Sequence, residues 1–99
     1  MEDILLGHPK SFPASASGTP LDRVADQGWS LLDDFATPIC SLSEPALAHN
    51  LASIAEFCAA RGVLHAPHGK TTMSPELITR QLESGAWGIT AATPWQAER

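Results

Sequence analysis

Basic side chains are scarce in this sequence. Its 99 residues contain six lysines and arginines against eleven aspartates and glutamates, so the formal net charge is −5 at pH 7. Proteins that hold nucleic acids or anionic membranes by charge carry clusters of basic residues, and this chain has no such cluster. We therefore expect neither nucleic acid nor a membrane as a partner. Small anionic ligands remain compatible with the composition, because a local site can oppose the global charge.

Long apolar runs and closely spaced cysteines are missing as well. No stretch approaches the ~20 apolar residues that a membrane-spanning helix needs, and the acidic start, Met1–Leu6, is unlike a secretory signal. Cys40 and Cys58 have no Cys-x-x-Cys spacing. Two such cysteines are more typical of reduced, buried thiols in a cytosolic protein than of a disulfide, with pairing of the two as the minor alternative. We predict a cytoplasmic protein.

Residues 1–36 differ in composition from the rest of the chain. Proline, glycine and serine are frequent in residues 1–20, which predicts an extended or mobile leader rather than a core. Apolar residues then recur at helical spacing before Gly28, so we predict a short helix over residues 21–29. Trp29 and the leucines that follow it predict a contact with some other part of the chain.

From Thr37 to the last residue, strand-like runs alternate with helical spacing. We predict three strands, over residues 39–42, 63–66 and 86–92. Capping residues and glycines place a first helix from Ser41 or Ser43 to Gly62, a second from Ser74 to Gly85, and the start of a third at Thr93. Such alternation opens a parallel α/β array, either a doubly wound sheet or a (β/α)8 barrel. Because a parallel sheet needs more strands and cover on both faces, we expect this chain to be the N-terminal part of a longer protein.

Lys70 is the one lysine in this second region, since the only other lysine is Lys10 in the leader. Gly69-Lys70-Thr71 resembles the end of a phosphate-binding P-loop. That motif needs a glycine where this chain has Leu64, so we reject it. A lysine that follows a strand can act as a nucleophile toward carbonyl groups and so hold a ligand as a Schiff base. A solvated surface lysine is the alternative.

Two stretches of the second region carry a family resemblance. They are Pro67-His68-Gly69-Lys70-Thr71-Thr72-Met73-Ser74-Pro75 and Gln81-Leu82-x-x-Gly85-Ala86-x-Gly88-Ile89-Thr90-x-Ala92-Thr93. In order and spacing they resemble the pyridoxal-phosphate-dependent D-serine dehydratase/D-threonine aldolase family, and the first stretch is closest to the amino acid deaminase branch. The resemblance runs from about Thr37 to the last residue.

This resemblance implies a fold and a reaction. The fold is the N-terminal βαβαβ portion of a (β/α)8 TIM-type barrel like that of alanine racemase (fold type III), over residues 37–99 and incomplete in this chain. Lys70 matches the lysine that binds pyridoxal 5′-phosphate as a Schiff base, and barrel enzymes place such residues at the carboxyl ends of strands. The implied enzyme is a lyase that deaminates D-serine-like or D-threonine-like β-hydroxy amino acids. D-threonine aldolase-type C–C cleavage and a non-catalytic role in pyridoxal-phosphate homeostasis are the alternatives.

The resemblance places further parts of the site beyond Arg99. A divalent metal would be bound there, as would the cofactor phosphate, so the chain alone is expected to be inactive. The full-length enzyme is expected to be a homodimer. His68 is expected either to pack beside the cofactor or to fix the loop, and a purely structural role is the alternative. His65 and His68 would point to opposite faces of a strand, so we expect no metal at this pair. Ser74 is expected to cap a helix rather than to bind phosphate.

Overall fold

The computed structural model describes residues 5–7 and 9–98 of the chain. Contacts between residues divide it into two compact units, Met1–Ser41 and Leu42–Arg99. Residues 37–41, which the sequence places at the start of the second region, group with the first unit. Within the described ranges, every helix is too short or too polar to cross a bilayer.

The first unit is built from short turns. Its described part contains three 3-10 helices, Ala14–Ala16, Leu21–Arg23 and Ala25–Gln27. The single helix predicted over residues 21–29 is therefore wrong in kind, because two one-turn helices follow each other there. Gly28 ends them in the left-handed conformation, with a φ of 65°. Helices of fewer than ~12 residues are marginal in water, and no side chain caps the start of this segment.

Three aromatic rings pack together in the first unit. Phe12 meets Trp29 and Phe35 edge to face, with ring centroids 6.0 and 4.8 Å apart. The rings of Trp29 and Phe35 are also nearly perpendicular, at 6.2 Å. Such pairs add about 0.5–1.5 kcal/mol each to the burial of the rings. The predicted contact of Trp29 is thus confirmed, and part of it is made with the leader itself.

The leader folds back on itself instead of running extended. Leu5 and Pro20 form an antiparallel bridge, and Leu6 N donates to Thr19 O at 2.9 Å. Ala16, in the loop between them, is fully buried. The prediction of an extended leader without a core is therefore wrong for its described part. Aromatic contacts over a longer sequence distance supply the cohesion that the proline- and serine-rich composition does not suggest.

The second unit begins with its longest helix, α1, which spans Glu44–Arg61. Pro45 stands in the first turn, where its missing N–H has no helical partner to lose. Ser43 is the N-cap residue, so the later of the two predicted starts is confirmed. Gly62 ends the helix as predicted, with a φ of 63° and its N–H bonded back to carbonyls of the last turn.

Helix α2 follows over Pro75–Glu83. It begins at the predicted cap, because the Ser74 hydroxyl accepts from Leu77 N at 3.3 Å. Its carboxyl end is closed by Ser84, and Gly85 follows with a φ of 109° that few other residues adopt. The predicted start of this helix is confirmed, and the predicted closing glycine lies just past its end.

Helix α3 is a single turn over Pro94–Ala97. The Thr93 hydroxyl accepts from Gln96 N at 3.2 Å, which confirms the predicted start. A complete capping box would also join the Gln96 side chain to the backbone N–H of the cap. Gln96 Oε1 instead accepts from Ala92 N at 2.8 Å, one residue earlier.

Two segments of the second unit run parallel without forming a continuous strand. Trp87 N donates to His65 O at 2.8 Å, and Thr90 N donates to Pro67 O at 2.8 Å. From one bond to the next, the first segment moves on by two residues, from His65 to Pro67, and the second by three, from Trp87 to Thr90. The regular hydrogen-bond pattern of a parallel pair therefore does not continue. Among the described residues of this unit, the parallel bridge is confined to one position, between His68 and Thr90.

The three predicted strands are corrected accordingly. Residues 39–42 are irregular, and residues 63–66 and 86–92 lie along the single parallel pairing just described. A strand needs a paired neighbour for its backbone groups, and the described residues show no backbone partner for 39–42. A parallel pair joined through a helix is a building unit of both the barrel and the doubly wound sheet, so it does not distinguish between them.

Large apolar side chains in the second unit are open to solvent. Leu64 is 75% exposed, Trp87 is 72% exposed and Trp95 is 60% exposed. No large side chain in the described ranges is fully buried. Because the hydrophobic effect favours removal of such surface from water, these side chains leave the unit with uncovered apolar surface.

Both cysteines are free thiols, with Cys40 exposed and Cys58 half-buried. The prediction of a buried thiol is therefore wrong for Cys40. It assumed that Cys40 lies within a strand, and residues 39–42 form none.

Candidate functional site

Lys70 lies in a turn that directly follows the parallel pairing. His68 bridges Thr90, and two residues later the side chain of Lys70 is exposed. Gly69 O accepts from Met73 N at 3.0 Å, which closes a turn of five residues. Met73 has a φ of 49°, a left-handed conformation that residues other than glycine rarely adopt. The turn therefore presents Lys70 at the carboxyl end of the first parallel segment.

The His68 ring bonds to the main chain of this turn. Lys70 N donates to His68 Nδ1 at 3.2 Å. A neutral imidazole that accepts at Nδ1 carries its proton on Nε2. Of the two roles expected of His68, beside a cofactor or in fixing the loop, this hydrogen bond supports the second.

Gly69, between these two residues, is buried and closely approached. Its N–H donates to Thr90 O at 3.0 Å. A Cβ added to Gly69 would lie 3.1 Å from Ile89 Cγ2 and 3.5 Å from Ile78 Cδ1. A larger residue would press on Ile89 or move the main chain that carries Lys70. Close approach of a neighbour therefore explains a glycine at this position.

A cavity of about 280 Å³ opens beside Lys70. Its wall is mainly apolar, with Ile78 of α2 and Ile89 among the lining residues, and Lys70 carries the only charge in the lining. The volume lies just below the ~300–1,000 Å³ of ordinary small-molecule sites. The Thr90 hydroxyl at the wall already donates to Ala66 O at 2.8 Å. The arrangement offers a primary amine at the edge of a small apolar cavity, which suits a carbonyl ligand.

The polar groups at the start of α2 hydrogen-bond to one another. Ser74 Oγ donates to the Glu76 carboxylate at 2.9 Å and accepts from Leu77 N at 3.3 Å. A hydrogen bond from its own backbone, and then the Ser74 hydroxyl, hold the pKa of Glu76 below its ordinary value. A carboxylate at this helix start opposes a second anion there. Ser74 therefore caps the helix, as predicted, while its hydroxyl donates to Glu76.

The structure does not bring His65 and His68 to one site. His65 lines a cavity of about 260 Å³ together with Cys58, whereas His68 lines a separate one of about 140 Å³. Within the described part of the chain, no three His, Cys, Asp or Glu side chains are grouped to hold a metal ion.

An ion pair between α1 and α2 has no signal in the sequence patterns. Arg80 donates to both carboxylate oxygens of Glu44, at 2.8 and 2.5 Å. The side-chain hydrogen bonds lower the pKa of Glu44 and raise the pKa of Arg80. The two residues are 36 positions apart, so they share none of the spacings that indicate pairs within one helix. The pair links α1 to the helix that follows the Lys70 turn.

Comparison with known proteins adds no relative. No protein-family model matches the chain, and no curated protein matches it either. A functional proposal therefore rests on the residues of the Lys70 turn and on the resemblance carried by the two motifs.

Proposed function

We propose that this chain is part of a pyridoxal-phosphate-dependent lyase that acts on D-β-hydroxy amino acids, with Lys70 as the covalent anchor of the cofactor. The position of Lys70 is the observation that carries the proposal. Its side chain is exposed in a turn after a parallel pairing, at a cavity that no other charge lines. The motif over residues 67–75 supports the same assignment by its resemblance to the D-serine dehydratase/D-threonine aldolase family.

The residues at the cavity fit part of this cofactor. Lys70 supplies the primary amine that bonds to the aldehyde, and the isoleucines of the wall suit the flat face of the ring. The lining offers no second cation for the phosphate, since Lys70 carries the only charge there. We assign the phosphate and any divalent metal to residues outside this chain.

When bound, pyridoxal phosphate supplies an electron sink for the bond that breaks at the substrate Cα. Lys70 would hold this group through its amine and, once the substrate amine has taken that place, would serve as the general base that removes the Cα proton. Loss of the β-hydroxyl as water, followed by hydrolysis of the resulting enamine, would give a keto acid and ammonia. The alternative C–C cleavage would instead need proton removal from the β-hydroxyl and would give glycine and an aldehyde. We propose the first outcome for this enzyme, in the cytoplasm and as a homodimer.

Reductive trapping tests the anchor. The purified protein is incubated with pyridoxal 5′-phosphate, reduced with borohydride and digested, and the labelled peptide is identified by mass spectrometry. We expect the label on Lys70, and we expect Lys70→Ala to remove it. Lys10→Ala is the matched control, because Lys10 is also exposed but lies in a turn of the first unit. A label on Lys10, or equal labelling of both lysines, would contradict the proposal.

A further inference from the structure

We infer that His68 is a positioning residue for Lys70. In this role the neutral His68 ring accepts a hydrogen bond from the main chain of the turn and does not bind the cofactor. The inference rests on the proposed function for its consequence in catalysis. Its physical content, the acceptance of Lys70 N–H by His68 Nδ1 at 3.2 Å, does not depend on that function.

The geometry reproduces a turn that asparagine and aspartate form. In an Asx turn, the side-chain oxygen accepts the backbone N–H two residues later. His68 does the same toward Lys70, with Nδ1 two bonds beyond Cβ, where asparagine carries Oδ1. The acceptor must be a neutral ring, because an imidazolium has only donors. Asparagine can therefore replace His68 in this role, and leucine, of similar size but without an acceptor, cannot.

The main chain that leads into Lys70 is held at the preceding residue, Gly69. Gly69 N–H bonds to Thr90 O at 3.0 Å, and Gly69 O accepts from Met73 N at 3.0 Å. The His68 ring then fixes the next N–H, which belongs to Lys70 itself. An exposed and otherwise mobile side chain thus begins from a fixed Cα, and such positioning is what a covalent anchor needs.

The cavity beside His68 carries no charge. It has a volume of about 140 Å³ and is bounded by leucines of α1 and α2 and by Thr71 and Thr72, with Gln81 as the other polar residue. No cation of its wall therefore competes with the Lys70 N–H for Nδ1.

Four variants test the inference: His68→Asn, His68→Leu and, as matched controls in the same unit, His65→Asn and His65→Leu. The first measurement is hydrogen exchange of the Lys70 amide by NMR, without cofactor. We expect wild type and His68→Asn to be protected alike, and His68→Leu to exchange roughly two- to tenfold faster, the factor that corresponds to one ordinary hydrogen bond. The second is the rate of borohydride-trapped labelling of Lys70 by pyridoxal 5′-phosphate, which should fall in His68→Leu and be restored in His68→Asn. The His65 variants should change neither reading.

The outcomes separate this inference from the proposed function. Equal exchange in all four variants, or the same loss in His68→Asn as in His68→Leu, overturns the positioning role even if Lys70 is labelled. Absent labelling of Lys70 in wild type overturns the proposed function, while the exchange data still decide the hydrogen bond. If the His68 variants do not fold, the ring tautomer of the wild-type protein decides by nitrogen NMR: a proton on Nε2 supports the inference and a proton on Nδ1 overturns it.

Discussion

Arg80 donates two hydrogen bonds to the carboxylate of Glu44, from Nη1 to Oε2 at 2.8 Å and from Nη2 to Oε1 at 2.5 Å. Glu44 is the first residue of α1, and Arg80 lies in the second half of α2. A carboxylate is favoured at a helix start and a cation toward a helix end, so each partner suits its own helix. The pair therefore joins two helices at places where neither charge opposes the helix dipole.

Acid should weaken this link. Because Arg80 holds the pKa of Glu44 below its ordinary value of 4.5, the stabilisation is present above that value and is lost as the pH falls through the lower, folded value. Glu44→Gln should therefore lower the free energy of unfolding at neutral pH and make progressively less difference as the pH falls below 4.5. The measurement is urea unfolding at neutral pH and at a pH below 4.5, with the exposed Glu56→Gln on the same helix as control. A deficit of the same size at both pH values would show that the pair is not the cause.

Removal of the α2 cap should cost stability, whereas removal of the α1 cap residue should not. The Ser74 hydroxyl accepts from Leu77 N, and Ser43 makes no side-chain cap hydrogen bond. We expect Ser74→Ala to lower the free energy of unfolding by roughly 0.5–2 kcal/mol, and Ser43→Ala to stay within about 0.5 kcal/mol of wild type. Chemical denaturation monitored by circular dichroism compares the two directly. Equal losses would mean that neither serine acts through a cap.

A methyl group at Gly69 should disturb the Lys70 turn. It would approach Ile89 Cγ2 to 3.1 Å, so Ile89 must shift or the turn must move. We expect Gly69→Ala to destabilise the protein by about 1 kcal/mol or more and to slow the labelling of Lys70. Gly88→Ala is the matched control, since nothing lies within 4 Å of a Cβ at that position. A Gly69→Ala protein with wild-type stability and labelling would refute the close-contact explanation.

Local chemistry made the helices of the second unit predictable. Ser74 with Pro75, and Gly62 after α1, fix their helix ends by caps that involve only neighbouring residues. The strands were predicted less well, because apolar runs such as residues 39–42 become strands only if a distant segment pairs with them. The single parallel bridge between His68 and Thr90 depends on such a partner.

At the candidate site, too, features set by neighbouring residues were predictable, and features set by side-chain conformation or helix packing were not. The position of Lys70 between a pairing segment and a helix start follows from local patterns, and the sequence therefore singled it out. The acceptance of Lys70 N–H by His68 depends on a side-chain rotamer, and the Glu44–Arg80 pair depends on how two helices pack. The ion pair has no periodic or spacing signal, since helical patterns report only contacts within one element.

The exposed apolar side chains of the second unit should make it prone to self-association. Leu64 and Trp87 are 75% and 72% exposed, and exposed apolar surface promotes association. We expect the 99-residue chain to bind a hydrophobic dye and to self-associate while its helices remain formed. Leu64→Gln and Trp87→Gln should reduce both readings and leave the helical circular dichroism unchanged. Leu77→Gln, at a half-buried position of α2, should instead reduce the helical signal. Unchanged dye binding in Leu64→Gln and Trp87→Gln would show that other side chains bind the dye.

Replacement of Lys70 should abolish turnover whether or not the positive charge is kept. Lys70→Ala removes the amine, and Lys70→Arg keeps a cation that neither bonds to an aldehyde in this way nor sheds a proton readily. Because we assign the phosphate and metal ligands to residues outside this chain, the assay uses the complete product of the reading frame that carries it. Release of keto acid and ammonia from D-serine or D-threonine should fall by roughly 1,000-fold or more in both variants.

Lys10→Ala is the control for these variants and should retain the activity, since Lys10 belongs to the first unit. L-Serine tests the stereochemistry and should give no product. Turnover of the L-enantiomer alone would refute the proposed substrate class while leaving the anchor intact. If Lys70 is instead an ordinary surface lysine, all three lysine variants should match wild type, because exposed substitutions usually change stability by no more than about 0.5 kcal/mol and touch no reacting atom.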